Sequence, residues 1–224
     1  MFETTILIFF IMSIIIYKLF YKSNIINIEA FNKISYLVRD RQDAQDAANM
    51  LATIIITVDN LINTIITNYN KKYNHERNCP YTNQNNFCNC INNNSRDDNK
   101  YIKYVRVIKE RLPYVKISEN PADSKYTSYS INKGEELVFC IRNKTSGEIH
   151  DLNELLYVAI HEIAHIGCPE IGHTDLFRMI NLHLLKKAVC YGIYKYTDYS
   201  RDVKNYCGMD LTSTILPDII ICNK

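Results

Sequence analysis

Two histidines four residues apart bracket a glutamate in His161-Glu162-Ile163-Ala164-His165. On a helix, residues at that spacing share a face, so both imidazoles can address one point. Neutral imidazole nitrogen is a ligand suited to zinc, and a carboxylate beside it can take a proton from a water that the metal activates. The spacing therefore predicts His161 and His165 as zinc ligands and Glu162 as the general base. Six histidines occur in the chain, so chance placement of two on an ordinary helix is the plain alternative.

A catalytic zinc needs a third protein ligand and an open fourth position. Beyond His165 the chain reads IGCPEIGHTDLF. Gly167 and Pro169 should end the helix, because proline disfavours a helical residue before it. Gly172 can then turn the chain and bring His173 back as third ligand. Cys168, Glu170 and His183 are the alternatives, although Cys168 also reads as a small buried hydrophobe and His183 as a polar residue on the next helix.

These residues need elements to hold them. Asp151 and Glu154 form a D-x-x-E start signal for a helix running to about residue 166, with an apolar LLYVAI run that would bury it. Thr174 would cap a second helix over residues 175 to about 193. Two strands are expected at residues 127–131 and 136–141, joined at Lys133-Gly134. Residues 136–141 are the expected edge strand for a peptide substrate, and Tyr194, Tyr196, Tyr199 and Tyr206 are candidate oxyanion stabilisers among 17 tyrosines. Met209 after Gly208 is a faint hint of a turn beneath a metal. The fold class is α+β: a small zincin-like domain over residues 101–224, with a short β-sheet, the HExxH helix and a following helix.

Upstream, residues 4–20 are almost wholly apolar, with Lys18 and Lys22 at the far end of the run. The start, MFETT, lacks a basic residue and no A-x-A site follows, which favours an uncleaved transmembrane anchor over residues 1–23. Positive charge after the span predicts a single-pass protein with its C-terminal domain in the cytoplasm, on a host or virion membrane. Residues 24–72 read as one long amphipathic helix, a stalk. Ile34, Leu37, Ala44, Ala48, Leu51, Ile55, Val58, Ile62, Ile65 and Tyr69 follow a three-four spacing interrupted by Arg41. This seam over residues 34–69 either pairs two chains as a homodimer or folds back on the domain, and the wider apolar face with Ile54, Leu61 and Ile66 favours folding back. Residues 73–100 are an Asn-rich linker holding Cys79, Cys88 and Cys90, whose spacing matches no zinc ribbon.

A net charge of +2 demands no nucleic-acid partner. Lys100, Lys103, Arg106, Lys109 and Arg111, with Tyr101 and Tyr104, could form a basic aromatic patch, but at helical spacing they read as a solvated face, so nucleic acid is a disfavoured partner. The eight cysteines are irregularly spaced, most in apolar surroundings, and read as buried reduced thiols, with a secreted disulfide framework as the alternative. Sequons at Asn93 and Asn143 matter only in a lumen.

HExxH, then a turn ending in Gly-His, then Thr-Asp-Leu-Phe resembles the SprT and WLM groups of small zinc peptidases. The resemblance implies metal at His161, His165 and His173, catalysis by Glu162, and Phe177 as a packing aromatic. The third histidine follows the second by eight positions, unlike the six of metzincins. A stretch over roughly residues 126–212 is similar to membrane-anchored, WLM-like proteins of large nucleocytoplasmic DNA viruses. It implies a viral, membrane-anchored zinc metallopeptidase acting on protein or peptide. A catalytically silent zinc-containing scaffold and a peptidase acting on DNA-bound proteins are the alternatives.

Overall fold

The computed structural model describes residues 25–77, 94–220 and 222. The expected anchor over residues 1–23, Cys79, Cys88, Cys90 and the Asn93 sequon lie outside them.

Residues 24–72 are not one helix. The chain first forms a hairpin of β1 (Ile25–Glu29) and β2 (Ser35–Arg39). Period-two alternation decides this: Tyr36 and Val38 are buried while Ser35 and Leu37 are exposed. Lys33 adopts a positive φ of 65° and turns the chain. Ile34 and Leu37, read as seam positions, are 53% and 46% exposed, so their three-four spacing was coincidental.

The helix begins at Ala44 and runs to Arg77 (α1). It is no separate stalk. Ala47, Ala48, Leu51, Ile54, Val58, Leu61 and Ile62 are buried in the shared core, where α1 packs on β1, β2 and the helices that follow. The expected linker is likewise shorter, because α2 spans Asn94–Arg111. Tyr101, Ile102, Val105 and Ile108 bury an apolar stripe that outweighs the weak helix preference of asparagine. The domain therefore includes the hairpin and α1, and does not start at residue 101.

After a single 3-10 turn come β3 (Lys116–Glu119), β4 (Tyr129–Ile131) and β5 (Glu136–Phe139). The sheet order is β1-β2-β3-β5-β4, with β2, β3 and β5 parallel and β4 antiparallel to β5. The edge beside the candidate site is thus β4; β5, expected at the edge, is interior. Next follow α3 (Leu152–Gly167), α4 (Asp175–Cys190), and a separate hairpin of β6 (Lys204–Tyr206) and β7 (Met209–Leu211).

A buried ionic network joins these layers. Arg142 Nε donates to Glu119 Oε1 at 2.8 Å, Arg39 Nε lies 3.3 Å from the same oxygen, and Arg142 Nη1 bonds Asp43 just ahead of α1. The carboxylate of Glu119 also accepts the Arg39 backbone N–H. Arg39, Glu119 and Arg142 are the buried part of it, and leaving one of these charges unpaired inside would cost roughly 3–5 kcal/mol.

The cysteines also depart from the reduced-thiol reading. Disulfides join Cys140 to Cys207 and Cys190 to Cys222, while Cys168 remains a buried thiol. Apolar surroundings suit a half-cystine as well as a thiol, so burial alone could not separate them.

Candidate metal centre

The helix α3 starts where its capping chemistry requires. The Asp151 side chain accepts from the Asn153 N–H at 2.8 Å. Glu154, the other half of the expected start signal, instead lies 3.4 Å from His150 Nδ1. Leu155, Leu156, Ala159, Ile160, Ile163 and Ala164 face the core, leaving Tyr157, His161 and His165, each four apart, along a groove.

The helix ends where Cys168, ahead of Pro169, turns extended, and close packing requires a glycine at its last residue. A Cβ on Gly167 would stand 2.8 Å from Ile108 Cγ1 and 2.9 Å from the Tyr104 carbonyl on α2. The following turn uses Gly172 at φ +81°. Thr174 then caps α4, accepting from the Phe177 N–H at 3.3 Å. His173 sits between turn and cap, so its backbone is set from both sides.

The structure brings His161, His165 and His173 together. One nitrogen from each lies within 4.8 Å of the others, and the Nε2 atoms of His161 and His173 are 3.0 Å apart. Nitrogens about 2.0–2.1 Å from a tetrahedral zinc stand roughly 3.3 Å apart; the His161–His173 pair is already near that spacing, and the wider separations, up to 4.8 Å, would draw in around an ion. Phe177 backs all three rings, stacking on His165 at 4.0 Å between centroids and meeting the other two at 4.9 Å.

Burial sets the protonation states of the metal-free site. It pushes His161 and His165 down to about 4, helped by the neighbouring imidazoles. Both are neutral at physiological pH and keep a lone pair to offer. Burial moves Glu162 the other way, up to about 7. Its side chain lines the same groove as the three histidines.

That groove encloses about 1100 Å³. One wall is the edge strand β4 with Thr127 and Ser128; the other holds Met209, Leu211 and Ile215 from the β6–β7 hairpin and beyond. Tyr206 joins the walls, with its hydroxyl 2.6 Å from Ser128 Oγ, which also accepts the Cys140 N–H at 3.0 Å. Of the four tyrosines considered for oxyanion duty, Tyr206 lines the groove.

The alternatives for third ligand lie elsewhere. Cys168 is buried, His183 packs on the Tyr101 ring at 5.1 Å, and Glu170 lines the groove outside the cluster. Sequence reasoning missed Asn181, whose side-chain nitrogen is 3.4 Å from His161 Nδ1. Its place four residues after Phe177, on the same helix face, was the available signal.

No protein-family model matches the chain. It is 32% identical over 182 residues to the uncharacterized protein R325 of Acanthamoeba polyphaga mimivirus, spanning 81% of this chain and 79% of that one. The chain belongs to the R325 family. Two further relatives are the uncharacterized proteins 136R of Invertebrate iridescent virus 6, 41% identical over 95 residues, and 042R of Invertebrate iridescent virus 3, 42% identical over 82. These matches span 42% and 37% of this chain, and 49% and 50% of the respective relatives. Among solved structures, Wss1 from Saccharomyces cerevisiae aligns at 17% identity over 45% of this chain and 80% of its own, with a TM-score of 0.33. A mutant of the same protein gives 16%, 44%, 84% and 0.32.

Proposed function

We propose that this chain is a viral, zinc-dependent peptidase of the WLM type, held at a membrane by residues 1–23. The observation that carries the reading is the convergence of three imidazoles and Glu162 in one open groove beside an edge strand. His161, His165 and His173 would hold the ion. When bound, zinc supplies Lewis-acid activation of a water and of the scissile carbonyl. The chain's own groups do the rest. Glu162 takes the proton from the attacking water and passes it to the departing amine. Burial alone raises its pKa to about 7; a cation beside it draws that value back down and favours the carboxylate that the proton transfer needs. β4 offers backbone N–H and C=O groups to an extended peptide. Tyr206 supplies a phenol on the groove wall as the candidate oxyanion donor.

The test is zinc content and peptide cleavage of the purified chain beside Glu162→Gln and His173→Ala. One zinc per wild-type chain is expected. Glu162→Gln should keep its zinc and lose cleavage by a factor of at least 10²–10⁴, the ordinary contribution of general base catalysis. His173→Ala should hold zinc far more weakly. A wild-type chain without zinc would remove the peptidase reading.

A further inference from the structure

Asn181 is 4% exposed on α4, and its Oδ1 is buried with no hydrogen-bond partner among the described residues. Its Nδ2 lies 3.4 Å from Nδ1 of His161. On the other side of the same ring, Nε2 points at Nε2 of His173, toward the place where the three imidazoles converge.

A neutral imidazole carries one proton, on one nitrogen or the other. For His161 to offer Nε2 to a metal, its proton must sit on Nδ1, and that N–H needs an acceptor. An amide nitrogen cannot accept, whereas an amide oxygen can. The two ends of an asparagine amide have the same shape and are told apart by the bonds they make. Turning the amide end for end brings Oδ1 to Nδ1–H and puts Nδ2 in the buried place that Oδ1 held; a few tenths of an ångström of closure reach the usual length of about 3.0 Å. The outer partner of a metal-ligating histidine is typically a carbonyl or carboxylate, which fixes the tautomer and makes the ligating nitrogen more basic.

We infer that Asn181 is a positioning residue whose Oδ1 accepts the Nδ1–H of His161, fixing the tautomer that leaves Nε2 free for a metal ion. The inference rests on the zinc reading above. Phe177 and Asn181, one turn apart, then form a single supporting face: one stacks on His165 and the other orients His161.

The experiment uses the full chain, purified in detergent, with zinc affinity read by competition against a chromophoric chelator. Asn181→Leu keeps the bulk of the side chain and removes the acceptor; Asn181→Asp restores an acceptor with charge. Asn181→Leu should weaken zinc binding on the order of 10- to 100-fold, and Asn181→Asp should match or exceed wild type. In metal-free wild type, nitrogen NMR should show His161 protonated at Nδ1, a preference that a merely packed asparagine would not impose and that needs no variant to fold. Equal affinity in Asn181→Leu, or a proton on Nε2 of His161, would overturn the inference while leaving the zinc reading intact. A wild-type chain that binds no zinc would overturn the zinc reading itself.

Discussion

Protonation decides whether His161, Glu162 and His165 can act together, and their shifts run in opposite directions. In metal-free protein the two histidines stay neutral down to about pH 4, against about 6.5 in an unfolded chain. Between those values the unfolded chain binds more protons, so each histidine makes stability rise with pH. Glu162 does the reverse between its unfolded value and about 7, because there the folded chain holds the extra proton. Two groups outweigh one, so chelator-treated protein should gain urea resistance from pH 4.5 to 6.5. Glu162→Gln should steepen that gain; a flat profile for both would remove the burial argument. At this scale the sequence was informative where chemistry needs a fixed spacing. His161, Glu162 and His165 announce themselves. Asn181 does not, because an amide on an apolar helix face means little until its neighbour is known.

Among the elements, the β6–β7 hairpin forms a two-stranded sheet apart from the main one. Its turn residues Cys207 and Gly208 have φ values of 54° and 78°, the left-handed pair that a tight hairpin turn uses. Cys207 is bonded to Cys140, just past β5, and its neighbour Tyr206 is tied to Ser128. The bridge therefore pins one groove wall to the other across a 67-residue separation. Replacing both Cys140 and Cys207 by alanine should cost roughly 2–4 kcal/mol in urea unfolding. Zinc affinity should change little, because the three histidines sit on α3 and the turn before α4. A large loss of zinc would show that the hairpin supports the metal cluster directly. Helix caps at Asp151 and Thr174 and the turn at Lys133-Gly134 could be read locally, since each depends on a few adjacent residues. The hairpin at 25–39 could not: over so few residues, three-four and period-two spacings overlap, and pairing with β3 some 80 residues later decides between them.

For the whole molecule, the proposed anchor raises the question of which side of a membrane the domain would occupy. The lysines after the apolar segment favour the cytoplasm, whereas disulfides persist in oxidising surroundings. The second consideration leads us to expect the domain on the oxidising side. Asn143 then provides the measurement, since it lies on a turn where Lys144 and Thr145 are exposed. Glycan at Asn143, removable by endoglycosidase, is the expected outcome. An unmodified Asn143 together with free thiols at Cys140 and Cys207 would return the domain to the cytoplasm. The burial of α1 bears on the same question. Its segment Ala44–Tyr73 is long and apolar enough, by composition, to cross a bilayer, yet it is the helix around which the core is built. Hydropathy alone would count two crossings and reverse the orientation. With α1 folded into the domain, an anchor at residues 1–23, as proposed, would leave the histidine cluster and the sequon at Asn143 on one face of the membrane.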